Sequence, residues 1–202
     1  MDRSEALKEY RELVEELLDY FPTFRDNLMN RPTGKFWEEF HLARRDTNNF
    51  DNVSLYGGMS RYVFVIDDSD YALKMGTCYR GDEDCEREVE TYKEAQKEGI
   101  AHMFAAVEYG FSFLGKRFYL CERADADEDL ALEKSAESSG RSVEDIEPDD
   151  MEAIQDVFYC FFESEDVWKF VDFCDEHGIN DIHMANIGFD GETVKCIDYA
   201  GF

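Results

Sequence analysis

The sequence predicts an α+β fold: a small antiparallel sheet with one helix, a mainly helical part after it, and extra helices ahead of both. Three observations carry that expectation. Between Leu55 and Met75 short apolar runs alternate with glycine-rich and aspartate-rich turns, the signature of strands joined by hairpins. Residues 85 to 95 and 151 to 176 combine good helix formers with apolar side chains. Residues 1 to 50 hold two further amphipathic helical patterns.

In chain order, the first helix is expected over Ser4 to Tyr20. Leu7, Tyr10, Leu13, Val14, Leu17 and Leu18 fall on one face, and Ser4 is the cap. Its polar face is acidic, which disfavours an anionic lipid surface, so it should pack on the body of the protein. A second helix is expected over Thr33 to Arg45. Leu55 to Ile66 reads as strand, glycine turn and strand, with Gly57, Gly58 and Ser60 at the turn. Asp67 to Asp70 then leads into the strand Tyr71 to Met75. The helix over Cys85 to Ala95 stops at Gly99. Residues 122 to 152 contain thirteen acids against three bases, broken by Ser138-Ser139-Gly140 and Pro148; an exposed linker with short helical pieces is expected. After it, Ile154, Val157, Phe158, Phe161, Phe162, Val167, Trp168, Phe170, Val171 and Phe173 are too densely apolar for an exposed helix and predict a second core.

The chemistry concentrates in the last stretch. Asp181 is followed five residues later by Asn186, then by a hairpin turn at Asp190-Gly191 and by Asp198. A loop carboxylate can accept the proton of a hydroxyl under phosphorylation, while an amide oxygen and a second carboxylate are the hard ligands magnesium prefers. Upstream, glycines at a strand turn let backbone N–H groups approach phosphate oxygens, because no Cβ stands in the way. Lys74 lies inside the apolar strand Ala72-Leu73-Lys74, where a cation needs a partner to offset its desolvation. Glu88 is the leading partner by its Arg-Glu-Val-x-x-Tyr context, with Glu86 and Glu90 as rivals.

Taken in this order, the motifs from about residue 50 to residue 202 resemble the protein-kinase-like fold in a reduced, two-lobed form. More narrowly, Asp181-x-His183-x-x-Asn186-Ile187 is similar to the wording of minimal Ser/Thr kinases encoded by bacteriophages, and of small-molecule kinases of the aminoglycoside and choline type. The resemblance implies ATP and Mg2+ as cofactors, Lys74 on the α/β-phosphates and Glu88 orienting Lys74. It further implies Asp181 as base, Asn186 and Asp198 on magnesium, and a phosphate-covering turn at Gly57, Gly58 and Ser60. Phe118 to Ala124 becomes the strand and hinge that receive adenine, with Cys121 as gatekeeper and backbone groups near Glu122 and Ala124 reading the base. The implied division is an N-terminal helical extension over 1–50, a kinase-like N-lobe and hinge over 51–124, and an acidic linker with truncated C-lobe over 125–202. The expected activity is phosphoryl transfer to Ser/Thr of a protein, the chain itself included. The alternatives are a nucleotide-binding pseudokinase acting as an acidic interaction protein, and a small-molecule kinase.

Three departures from the family pattern bear on these expectations. Ile179-Asn180-Asp181 stands where His-Arg-Asp is usual, so regulation through an arginine that reads a phosphorylated loop is not expected. Asp198-Tyr199-Ala200 stands for Asp-Phe-Gly and keeps the ligand while changing the residues behind it. With Asp198 four residues from the last, an activation loop and its anchor are not expected either.

Composition narrows the function classes. Forty-eight acidic against 21 basic residues give a net charge of −27, which repels nucleic-acid phosphates and attracts basic partners; a basic host protein is the expected partner and substrate. Six cysteines and four histidines, His41, His102, His177 and His183, show no zinc spacing, so reduced core thiols are expected. No apolar run of about 18 residues and no leader is present, which predicts a cytoplasmic protein, in host cytoplasm if phage-encoded.

Overall fold

The computed structural model describes residues 2–29, 35–57, 60–191 and 193–200. The chain forms two compact units: Met1–Glu86 with Val107–Arg123, and Arg87–Ala106 with Ala124–Phe202.

The first unit begins with α1 (Arg3–Tyr20), α2 (Pro22–Met29) and α3 (Lys35–Thr47). Strands β1 (Val53–Gly57), β2 (Arg61–Ile66) and β3 (Tyr71–Gly76) follow, then the start of α4 (Tyr79–Glu98), and β4 (Val107–Phe113) and β5 (Lys116–Glu122). The five strands form one antiparallel sheet in the order β1-β2-β3-β5-β4. Side chains alternate between the faces of a strand, so Leu73 and Met75 join one core with Phe64, Phe118, Leu120 and the apolar residues of α1 and α3. Six side chains of α1 are buried, Ala6, Tyr10, Leu13, Val14, Leu17 and Leu18. At roughly 1.5–3 kcal/mol for each large one, α1 is part of this core and not an appendage to it.

Two local expectations change here. Asp2, not Ser4, caps α1: its side chain accepts from the Glu5 N–H at 2.9 Å, so the helix starts two residues earlier than a serine cap would allow. The helix α2 was not anticipated, although Pro22 at its first position is a known start signal. Thr33, the expected start of the next helix, lies outside the described residues, as do Gly58 and Met59 of the glycine turn.

The second unit holds the rest of α4, then β6 (Asp125–Ala126), α5 (Glu128–Ser139), α6 (Met151–Tyr159), α7 (Ser164–His177), β7 (Ile187–Phe189) and β8 (Val194–Cys196). Strands β6, β7 and β8 make a small antiparallel sheet. Part of the expected acidic linker, with its short helical pieces, is the helix α5. Asp127 caps it by accepting from the Leu130 N–H at 2.9 Å, and Gly140 ends it in the left-handed region at φ 72°. Ala131 and Ser135, four residues apart, are both fully buried and α5 packs against α6. Small residues make a weak hydrophobic stripe, which is why the charge pattern dominated the reading.

The apolar stretch after α5 is a core, with Ile154, Val157, Phe158, Val167 and Phe170 all fully buried. Trp168, expected inside, is 61 % exposed: it sits one residue, about 100° of helix turn, away from the inward row Val167, Phe170 and Cys174. Phe161, Phe162 and Val171 are half-buried. Among the described residues no helix is long and apolar enough to cross a membrane. The α+β class, the five-stranded antiparallel sheet and the helix between β3 and β4 agree with the reduced kinase-like arrangement expected from the sequence.

Candidate active site

In the second unit α7 ends at Gly178, whose φ of 67° turns the chain into the loop that carries Asp181. Ile179 and Ile182 are buried on either side of it while Asp181 itself is exposed, so the loop is pinned by apolar anchors and presents its carboxylate to solvent. A short 3-10 turn, Met184–Asn186, follows. The side-chain amide of Asn186 donates through Nδ2 to the backbone carbonyl of Asp181 at 2.8 Å. The backbone carbonyl of the same asparagine accepts from the Ile197 N–H at 2.9 Å. One residue thereby ties the Asp181 loop to the strand end immediately before Asp198. With Nδ2 committed inward, the Oδ1 of Asn186 is the amide atom left for a cation.

The turn between β7 and β8 closes this arrangement. Gly191 sits at φ 91°, and Asp190 accepts from the Thr193 N–H through its Oδ1 at 3.2 Å. Gly188 on β7 is there for close approach: a Cβ would come within 2.8 Å of Ala124 Cβ and 2.9 Å of its carbonyl oxygen. Ala124, one of the expected hinge residues, is thus held against β7, while Asp125 and Ala126 pair with Phe189 and Gly188.

In the first unit Lys74 occupies the middle strand, paired with Val63 on β2 and Tyr119 on β5, and is 8 % exposed. It points to the face opposite Leu73 and Met75, away from the core that α1 and α3 share with the sheet. Tyr119 lies across from it, its hydroxyl raised above the ordinary phenol range by burial. Cys121, at the expected gatekeeper position, is buried and its thiol donates to the Ala72 carbonyl at 3.3 Å. Glu122 ends β5 opposite Tyr71, and the next N–H, of Arg123, donates to the Asp70 carbonyl at 2.9 Å. Of the three glutamates weighed on α4, Glu88 is fully buried. Glu86 pairs with Arg117 at the surface and Glu90 is exposed.

The glycine turn is more heavily supported than its sequence suggests. Gly57 packs under Trp37 of α3, where a Cβ would meet the indole at 3.0 Å. Ser60 is engaged through both its polar ends: its hydroxyl donates to Asp84 at 3.1 Å, and its carbonyl accepts from the Thr77 N–H at 2.7 Å. A Cβ on Gly81 would overlap that same Ser60 carbonyl, so the first turn of α4 rests directly on the turn between β1 and β2. Trp37 and Asp84 were not singled out from the sequence. The one available signal was the pair Gly76 and Gly81 flanking the start of a helix, where glycine is otherwise costly.

Among the described residues no three His, Cys, Asp or Glu side chains converge as a metal site. The six cysteines are thiols and not disulfides, four of them buried, and burial raises the Cys174 thiol far above its ordinary range.

No family model matches the sequence, and no curated protein does. Among solved structures, one described as the GDP and kanamycin complex of APH(2")-IIia is similar at 13 % identity and a TM-score of 0.37, over 81 % of this chain and 72 % of that chain. A likeness so distant supports no transfer of residues or substrates.

Proposed function

We propose that the chain is a kinase-like phosphotransferase that uses ATP and magnesium and transfers the terminal phosphoryl group to a hydroxyl, that of Ser or Thr on a basic protein. The observation that carries this reading is the double use of Asn186: its amide nitrogen donates to the Asp181 carbonyl and its backbone carbonyl accepts from Ile197, the residue before Asp198, so the backbone of all three candidate residues is tied together. Magnesium, when bound, would neutralise charge on the transferring phosphates. The donor set suits it, since an amide oxygen and a carboxylate with room for water and phosphate oxygens is what this ion accepts.

In this reading Asp181 orients the acceptor hydroxyl and takes its proton, for which an exposed loop carboxylate is well suited. Lys74 supplies positive charge to phosphate oxygens, and Glu88 orients it, the two being charged side chains buried on β3 and α4. Backbone N–H groups of the turn at Gly57, Gly58 and Ser60 cover the phosphates, while groups near Glu122 and Ala124 receive the base. A basic acceptor is supported by the net charge of −27. A cationic small molecule bearing a hydroxyl meets the same electrostatic condition and is the second reading; a pseudokinase is the third.

The test is incubation with labelled ATP and magnesium, alone and with a cell extract, followed by mass spectrometry of the products. Phosphoserine or phosphothreonine supports the first reading, and a labelled small molecule the second. Nucleotide binding without transfer supports the pseudokinase, and no nucleotide binding removes all three.

A further inference from the structure

The backbone around Asp198 is anchored from two sides by groups outside the candidate site. On one side the hydroxyl of Tyr199, a residue only 1 % exposed, donates to the Ala105 carbonyl at 2.7 Å. Its ring meets Phe104 edge-on, with centroids 5.0 Å apart. The Ala105 N–H returns to the Cys196 carbonyl at 2.9 Å, and Phe104 and Cys196 form a parallel bridge. On the other side the guanidinium of Arg87, on α4, donates through Nη1 to the Ala200 carbonyl at 3.1 Å. Residues 197, 199 and 200 are therefore all tied down while lying beyond the last strand, and Asp198 is the residue between the ties.

We infer that Arg87 and Tyr199 are positioning residues that set the affinity of Asp198 for a divalent cation. The inference rests on the proposed reading of Asp198 as a metal ligand. A carboxylate on irregular backbone loses conformational freedom when it takes a cation, and bonds already fixing its neighbours remove that cost in advance. Partners that orient a metal ligand are typically worth ~10–100-fold in affinity. Tyr199 acts through its hydroxyl, because a phenyl ring alone would keep the packing on Phe104 and lose the tie to Ala105. Arg87 acts through its N–H bond to the Ala200 carbonyl, which a lysine ammonium can replace in part.

The experiment is titration of Mn2+ into the full chain with a non-hydrolysable ATP analogue, followed by electron paramagnetic resonance, for wild type, Tyr199→Phe, Arg87→Ala and Arg87→Lys. Asp198→Asn serves as the reference for loss of the ligand. Tyr199→Phe and Arg87→Ala are expected to weaken Mn2+ about tenfold and to leave metal-free binding of the analogue unchanged, with Arg87→Lys recovering part of the loss. Amide exchange over residues 197 to 200 should quicken in the same two variants, a readout that needs no metal. Wild-type Mn2+ affinity in both Tyr199→Phe and Arg87→Ala overturns the inference while leaving the metal-ligand reading intact. If wild type and Asp198→Asn bind Mn2+ alike, that reading falls and the inference with it.

Discussion

Asp181 and Tyr10 show how differently single residues contribute in the two units. Asp181 is exposed and does nothing for the core, so Asp181→Asn should leave the melting temperature and ATP affinity nearly unchanged. Phosphoryl transfer should fall by ~10²–10⁴, the usual worth of a general base, in a kinetic comparison of purified proteins. Tyr10 is fully buried, and its hydroxyl both donates to the Tyr71 carbonyl at 2.5 Å and accepts from the Ile66 N–H at 3.2 Å, spanning the mouth of the turn between β2 and β3. Tyr10→Phe strands the buried Ile66 N–H and removes a bond to the part-buried Tyr71 carbonyl, and should cost roughly 1–3 kcal/mol in denaturant unfolding, without touching catalysis directly. Burial also raises the Tyr10 hydroxyl above its ordinary value of 10.0. The unfolded chain therefore loses this proton first as pH rises, and the stability it contributes is fully present below about pH 10 and is lost as pH climbs through the folded value. Tyr62 and Tyr119 are raised by burial in the same sense, so Tyr10→Phe should reduce the alkaline loss of stability, not abolish it. An unchanged alkaline profile would remove Tyr10 from that balance.

Among the elements, α4 is the informative one. Its first turn lies on the glycine turn of the sheet, and this contact requires the absence of a side chain at Gly81. Helix propensity alone says that Gly81→Ala should stabilise by up to about 1 kcal/mol. Packing says the reverse, because the new Cβ would meet the backbone carbonyl of Ser60, and overpacking of this kind costs typically 1–3 kcal/mol. We expect the second effect to win, with a lower melting temperature and with weaker ATP binding once the turn shifts. A stabilised Gly81→Ala protein would show that α4 does not rest on the turn as described. The strands between Leu55 and Met75, the Asp67 to Asp70 turn and the hairpin at Asp190-Gly191 were legible because glycine and aspartate punctuate short apolar runs; β4 was not. The helix α5 was not, since its buried side chains are only Ala131 and Ser135 among residues that read as solvent-facing acids.

For the whole molecule the dominant quantity is the charge of −27. Four of the thirteen acids of residues 122 to 152, Glu128, Asp129, Glu133 and Glu137, sit on α5, an ordered helix, and these four present a fixed pattern and not a solvated tether. A basic acceptor should therefore associate with a rate that falls steeply as ionic strength rises past ~0.15 M, where the Debye length is about 8 Å. Neutralising Glu128, Asp129 and Glu133 should slow that association and leave turnover of bound acceptor unchanged, as stopped-flow mixing at low and high salt would reveal. Association insensitive to salt would confine the charge to solubility.

What the sequence determined by itself was local: the α+β class, the order of strand, turn and helix, and the residue types at Lys74, Asp181, Asn186 and Asp198. These follow from periodicity and from backbone preferences that neighbouring residues carry in their own side chains. Tertiary structure decided what depends on approach between distant segments. It buried Glu88 while leaving Glu86 and Glu90 nearer the surface, and turned Trp168 outward while folding α5 into the second unit. It gave Asn186 its two bonds, and it brought Arg87 and Tyr199 to hold the backbone around Asp198. Such contacts join residues as far apart in the chain as Arg87 and Ala200, and packing geometry, which no local pattern encodes, is what selects them.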